Sequence, residues 1–207
     1  LRDKKTNELY TAIRGDLVVK VGDHDEHTIE FFAKQFTKTG AENKLFKAYK
    51  TVMETYTSMA DIAGLPEHEK EGLYPTRLTV QGDIGINDYY GNNGLVKFTK
   101  LNGKFVNSVK DEEVEDCAEF DIEVYINKMK PELDKDGIET GRLNVEGISV
   151  GYNGIVSPID FKVTNEFGVA NYMSSTFQVG DTVSLWGNII NSAMEKTKTM
   201  QGFGQTK

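Results

Sequence analysis

The chain has 207 residues, a formal net charge of −8, 38 % hydrophobic residues and 10 % aromatic residues. This length suits one large domain or two of about 100 residues each, and the apolar content is too high for a disordered chain. The sequence shows no apolar run long enough to cross a membrane, no signal segment, and a single cysteine, Cys117. We therefore expect a soluble globular protein of a reducing cytoplasm, without a membrane partner.

The acidic balance argues against nucleic acid, because phosphate binding draws most of its affinity from Lys and Arg. The charge, however, is segregated along the chain. Residues 89–110 include four lysines and no acid, whereas residues 111–121 include seven acids and no base. Because a block of like charges is typical of a solvated linker, we place a domain boundary there. The sequence thus predicts domains at 1–110 and 111–195, followed by a flexible tail at 196–207.

The first half is predicted to contain strands at 17–21 and 29–36, a helix at 43–60, and strands at 78–86 and 95–109. The helix is indicated by apolar residues at three- and four-residue spacing. These residues are Leu45, Tyr49, Val52, Tyr56 and Met59. The pair Asn102-Gly103 predicts a hairpin turn inside the last segment.

The second half alternates with period two, as half-buried strands do. One face carries Phe120, Ile122, Val124 and Ile126, and a later one carries Ile155, Ile159, Phe161 and Val163. Between them, the apolar parity of residues 143–150 changes at Gly147, which predicts a β-bulge or a sharp bend. A short helix at 166–177, with Phe167, Ala170 and Met173 on one side, precedes a final strand at 183–189.

The predicted order of the second half is strand, bulged strand, strand, helix, strand, which is the order of a five-stranded OB barrel. An internal repeat supports a second barrel, because residues 78–84 match residues 183–189 in alternation and glycine position, and each copy follows a helix. We therefore predict a mostly β protein with two short helices (α+β), built from tandem OB-type five-stranded barrels. The first barrel is the more diverged.

The segment at 168–190 resembles the helix-and-strand end of single-stranded DNA-binding proteins. It combines a helix bearing Val169, Ala170 and Tyr172, the turn Gly180-Asp181, and an alternating strand containing Trp186 and Gly187. The tandem arrangement is similar to replication proteins of tailed bacteriophages. The resemblance implies a non-enzymatic protein of the host cytoplasm that binds single-stranded DNA with little sequence preference during phage DNA replication or recombination. It also implies contacts with replication or recombination proteins through a C-terminal extension.

Binding unpaired nucleic acid requires flat aromatic surfaces and cations that follow the phosphates. If Ile29, Phe31 and Ala33 face the core, four alternating aromatic and basic residues face the other way: Phe32, Lys34, Phe36 and Lys38. Packing of the two phenylalanines against the helix or the other barrel is the alternative.

The early strands of the second barrel contribute a second set of predicted contacts: Tyr125, Lys128, Lys130, Arg142 and Tyr152. A third set, Lys97, Lys100 and Lys104, lies on the predicted hairpin together with the aromatic residues Phe98 and Phe105. That hairpin is either a binding finger or an edge whose lysines prevent aggregation. Trp186 is predicted to point outward and to stack on a base, with packing in the core as the alternative.

The sequence contains no nucleophile elbow, phosphate-binding loop or dinucleotide-binding glycine pattern. Residues 134–137 begin like a calcium loop, but Val145 stands at its twelfth position, so they predict a hairpin turn. His24 and His27 are interpreted as part of a polar turn. We therefore predict no enzymatic activity, no cofactor and no metal. The alternative functions are a virion structural or assembly module, an oligosaccharide-binding module and a small nuclease-like barrel.

Overall fold

The computed structural model describes residues 1, 7, 9–23, 25–92, 94–96, 98–110, 114–151 and 154–191. The described chain is mostly β-strand with a few short helices, in agreement with the alternating apolar pattern. The strands form two four-stranded sheets and one two-stranded sheet, all of them open. Residues 111–113 of the predicted boundary block at 111–121 lie outside the described residues, as does the predicted tail at 196–207.

The first half contains one four-stranded sheet, three helices and a separate hairpin. Its elements are β1 (Ala12–Lys20), β2 (Glu26–Lys34), α1 (Lys44–Thr55), α2 (Met59–Ala63), α3 (Glu67–Lys70), β3 (Leu78–Ile86), β4 (Tyr89–Gly91), β5 (Gly94–Val96) and β6 (Thr99–Ser108). The sheet order is β1-β2-β6-β3, and β4 pairs only with β5. Strands β2 and β6 are parallel, and the other pairs are antiparallel.

The predicted helix at 43–60 is two helices. Asn43 begins α1 by accepting a hydrogen bond from the backbone N–H of Leu45. The chain then becomes extended at Tyr56, and a capping box formed by Ser58 and Asp61 begins α2. The single-helix prediction was wrong at its C-terminal end because the capping box starts a new helix where the apolar spacing still continues.

The first core lies between α1 and the sheet. Phe31 and Ala33 of β2 are buried, which confirms their predicted inward orientation. The Phe31 ring meets the Tyr49 ring of α1 edge to face, with 5.0 Å between ring centroids. The hydroxyl of Tyr49 donates to the backbone oxygen of Gly103 on β6 at 3.1 Å. These contacts fix the helix against the centre of the sheet.

The hairpin turn predicted at residues 102–103 was wrong. Both residues lie inside β6, a central strand between β2 and β3, so the lysines of β6 are on neither a finger nor a sheet edge. Gly103 is explained by packing, since a Cβ there would lie 2.2 Å from the Phe31 ring. Gln81 pairs with Phe105 and Gly82 with Gly103, which leaves Lys104 as the extra residue of a β-bulge.

The second half is a Greek key. Its elements are β7 (Glu119–Leu133), β8 (Glu139–Val150), β9 (Val156–Val163), a 3-10 turn (Glu166–Gly168), α4 (Val169–Thr176) and β10 (Thr182–Asn188). All neighbours are antiparallel in the order β10-β7-β8-β9. The last strand therefore returns beside the first, as in a Greek key. The turn between β7 and β8 is confirmed as a hairpin turn, in which an Asp134 carboxylate oxygen accepts from the N–H groups of Asp136 and Ile138.

The irregularity predicted in residues 143–150 belongs to the partner strand. Ile126 pairs with Gly147 and Lys128 with Glu146, so Asn127 of β7 is the extra residue. The β8 strand keeps its phase, and the apolar residues after Gly147 are exposed. Gly147 is instead required by close packing, because a Cβ there would lie 2.6 Å from a methyl carbon of Val124.

The second core lies between the Greek-key sheet and α4. Its fully buried members include Val124, Ile126 and Val145, together with Ala170 and Met173 of the helix. Two residues predicted to join this core do not. Phe167 is 97 % exposed, because a positive φ of 54° turns it away from α4, and Ile155 precedes β9 and is 65 % exposed.

The predicted repeat corresponds to β3 and β10. Both segments are strands, both follow helices, and each lies at the edge of its four-stranded sheet. The two halves also contact each other. Ile84 of β3 packs against the second core, and the Arg77 guanidinium donates to a carboxylate oxygen of Asp116 at 2.6 Å. The backbone N–H of Asn191 donates to a carboxylate oxygen of Asp25 at 2.9 Å.

Candidate nucleic-acid interface

The outer face of the Greek-key sheet carries five of the predicted residues, spread along its strands, and two of them, Lys128 and Lys130, line a cleft. The strand phase that buries Val124 and Ile126 places Tyr125 on the opposite face, and the bulge at Asn127 then places Lys128 and Lys130 there as well. Arg142 of β8 and Trp186 of β10 also point outward. Trp186 is 79 % exposed and Tyr125 is 41 % exposed, which confirms their predicted orientation.

A cleft of about 620 Å³ opens between this outer face and the end of the first sheet. One wall carries the lysines of β7 and β9, and the other carries the residues that lead into and out of the β4–β5 hairpin. The lining includes three lysines, three carboxylates, an amide and an aromatic ring: Lys128, Lys130, Lys162, Asp88, Glu146, Asp160, Asn144 and Phe98. A hydrogen bond of 3.1 Å from the Thr99 hydroxyl to the backbone oxygen of Asp160 joins the two walls.

Sequence analysis missed Lys162 as a site residue. The signal for Lys162 was available, because it alternates with the inward residues Phe161 and Val163 on β9. Phe98 belongs to the basic and aromatic stretch that was predicted as a hairpin, and it lies at the cleft although that hairpin is not formed. Phe98 is 57 % exposed and can present a ring face at the cleft.

Most of the cations on this face form ion pairs with carboxylates. The Lys128 ammonium lies 2.6 Å from a carboxylate oxygen of Glu146, and the Lys162 ammonium lies 2.5 Å from one of Glu132. Arg142 approaches the other oxygen of Glu132 at 3.8 Å. Hydrogen bonds from Lys162 and from the Thr140 hydroxyl lower the pKa of Glu132. Lys130 has no ion pair with any residue in the described part of the chain.

The aromatic and basic residues of β2 lie on the other four-stranded sheet. Phe32 is 49 % exposed and Phe36 is 55 % exposed, so neither is packed in the core. The Lys34 ammonium lies 4.1 Å from the centre of the Tyr10 ring, at cation–π distance. Lys38 lies in the exposed turn that follows β2. These residues form a patch of their own and do not line the cleft.

The lysines of β6 also contact acids. The Lys100 ammonium lies 2.5 Å from a carboxylate oxygen of Glu30, and this hydrogen bond lowers the pKa of Glu30. Lys104 forms an ion pair with Asp83. Two further predicted contacts, Lys97 and Tyr152, lie outside the described residues.

The comparisons with known proteins assign a family. The model of the YorF family matches residues 1–207. The chain belongs to the YorF family. No significant match was found among curated proteins or among solved structures. Membership of the YorF family does not by itself assign an activity.

In the ranges that the structure describes, no three His, Cys, Asp or Glu side chains are grouped so that they could hold a metal ion. His27, predicted to lie in a polar turn, is a buried residue of β2 on the core side, 3.3 Å from Asp25, because its strand phase matches Phe31. None of the described helices is both long and apolar enough to cross a membrane.

Proposed function

We propose that this YorF-family protein binds single-stranded DNA without catalysis and with little sequence preference, in phage DNA replication or recombination. The observation that carries the proposal is the cleft, which combines three lysines and the exposed ring of Phe98 with three carboxylates, those of Asp88, Glu146 and Asp160. Cations can follow the phosphates, and an aromatic ring can stack on any base. Because stacking requires an unpaired base, this chemistry favours single strands over duplex.

We also propose that residues 111–195 form an OB-type barrel. The Greek-key order and the helix between β9 and β10 support this assignment, because the OB fold is a partly open Greek-key barrel. The second and third strands of an OB fold carry its usual binding face, and the cleft lies on the corresponding strands β8 and β9 together with β7. The first half has a different strand order, so its assignment as a diverged OB-like domain rests on the repeated helix and edge strand.

A virion structural or assembly module is the second candidate. The observation that favours it is the neutralisation of the predicted cations, since Lys100, Lys104, Lys128 and Arg142 each contact a carboxylate. Among the predicted cations on the outer face of the Greek-key sheet, Lys130 alone has no ion pair with a described residue, and the net charge of the chain is −8. Under this second function, neither single-stranded nor duplex DNA binds.

A gel-shift titration with single-stranded and duplex oligonucleotides separates the two functions. We expect a shift with the single strand at protein concentrations that leave the duplex free. Lys130→Gln should weaken this binding and reduce the slope of log affinity against log salt by about 0.7, because one phosphate contact is lost. Lys47→Gln, which removes an exposed lysine of α1 outside the cleft, is the matched control. Equal effects of the two variants would contradict the cleft as the binding site.

The fluorescence of Trp186 gives a second measure of DNA binding. It is the single tryptophan of the chain and is 79 % exposed, so a base stacked on it should quench the intrinsic fluorescence. Trp186→Ala should weaken binding by about 1–3 kcal/mol and leave the unfolding midpoint unchanged. Binding that proceeds with no change in emission would remove Trp186 from the interface without affecting the cleft.

A further inference from the structure

Two carboxylates already contact lysines of the cleft, at the positions where phosphate groups would bind. Glu146 contacts the Lys128 ammonium and Glu132 contacts the Lys162 ammonium, at distances usual for charge-assisted hydrogen bonds. A phosphate oxygen that reached either lysine would take the place of a carboxylate oxygen. The site is therefore already filled by groups with the charge and geometry of its ligand.

The two carboxylates differ in how accessible they are. The Glu132 side chain is 14 % exposed and lies among Lys162, Arg142 and the hydroxyl of Thr140. The Glu146 side chain is 37 % exposed, and Lys128, whose side chain is 43 % exposed, is one of its partners. A phosphate from solvent therefore reaches the ion pair between Lys128 and Glu146 more readily than the partly buried cluster around Glu132.

We propose that Glu146 is an internal competitor of the DNA phosphate at Lys128 and limits the affinity of the cleft for single strands. This inference rests on the proposed function. A phosphate reaches Lys128 only when the ion pair between Lys128 and Glu146 breaks, so in the wild type Lys128 contributes less than a free lysine would. Glu146 is then a positioning residue that keeps binding weak enough to be reversed, which suits a protein that must leave the strand when it is copied.

The test compares Glu146→Gln with Glu139→Gln in fluorescence-anisotropy titrations of a labelled oligothymidylate over a range of salt concentrations. Both substitutions remove one negative charge from β8, and Glu139 is exposed with no ion pair in the described part of the chain. Glu146→Gln should tighten binding about two- to fivefold more than Glu139→Gln. It should also steepen the salt slope by about 0.7, because the released lysine neutralises one more phosphate.

A double-mutant cycle with Lys128→Gln locates the effect. Removing the ammonium should weaken binding more in the Glu146→Gln background than in the wild type, since only there is the lysine free. Equal tightening by the two Gln variants, with an unchanged slope, would overturn the inference while leaving single-strand binding intact. Binding by Glu146→Gln where the wild type shows none would support it. Absence of binding by wild type and variants alike would overturn both the inference and the proposed function.

Discussion

Gly103 lies in the middle of β6, where the Phe31 ring occupies the space that a β-carbon would take. Gly103→Ala should therefore destabilise the protein by about 1–3 kcal/mol through overpacking. Urea unfolding measures this change. The matched control is Gly15→Ala on β1 of the same sheet, where no atom lies within 4 Å of the added carbon. Its effect should stay within about 0.5 kcal/mol. Trimming the ring with Phe31→Leu should reduce the cost of the Gly103 substitution, and additive effects would contradict the packing explanation.

Glu132 couples the stability of the Greek key to pH. Its pKa is lowered in the folded state by Lys162 and Thr140, so the ionised carboxylate stabilises the fold above its unfolded value of about 4.3. That contribution is lost as the pH falls through the folded-state pKa. Glu132→Gln should therefore be less stable than the wild type at pH 7 and lose less stability between about pH 5 and pH 3. Urea midpoints across this range measure the difference, and parallel curves would exclude Glu132 as a source of the acid sensitivity.

The outward orientation of Phe32, Tyr125 and Trp186 could be predicted because a strand alternates with period two and each follows or precedes a residue that packs towards a core. The side-chain contacts between neighbouring strands could not be predicted. The contact of Lys128 with Glu146 joins residues 18 positions apart, and that of Lys100 with Glu30 joins residues 70 positions apart. Whether a predicted cation is free or neutralised depends on strand register, which one sequence does not contain.

At the scale of elements, the start of α4 carries backbone strain. Phe167 has a φ of 54°, a left-handed conformation that L-residues other than Asn and Asp rarely adopt, and its ring is 97 % exposed. Phe167→Gly should raise stability by about 0.5–1 kcal/mol by removing the Cβ from this conformation. Phe167→Ala keeps the Cβ and is the control, so it should give no gain. Thermal unfolding compares them, and a loss of stability in both variants would show that the ring makes contacts worth more than the strain.

Element boundaries that depend on neighbouring side chains in the sequence were predicted well. Those that depend on contacts with distant residues were predicted poorly. Strand β3 has the predicted bounds, and the 134–137 turn follows from its own Asp134 side chain. The Asn102-Gly103 pair, by contrast, has the sequence of a hairpin turn but is placed in a central strand by Phe31 and Tyr49. The bulge near Gly147 was displaced to β7 for a similar reason, since the extra residue can lie on either partner.

At the scale of the whole molecule, the two halves are joined by side chains that cross between them. Arg77 contacts Asp116, and Asn191 donates both to Asp25 and to the backbone oxygen of Glu26. The cleft depends on this junction, because one of its walls belongs to each half. A division of the chain at 110 would therefore separate Phe98 from Lys128 and remove the proposed binding site even if both parts folded.

Substitution of Ile84 tests how strongly the stability of one half depends on the other. It belongs to β3 of the first half but packs against the core of the second, whereas Leu78 on the same strand packs against the first core. Ile84→Ala should lower the free energy of unfolding by about 1–3 kcal/mol through lost burial. Since Trp186 lies on β10, its fluorescence follows the second half, and the urea transition seen by this probe should move to lower denaturant in Ile84→Ala. Leu78→Ala should move the same transition only if the two halves unfold together, and circular dichroism of the whole chain then coincides with the fluorescence. If Ile84→Ala left the Trp186 transition in place, the packing of β3 on the second core would contribute nothing to stability, and the cleft would have no rigid wall on that side.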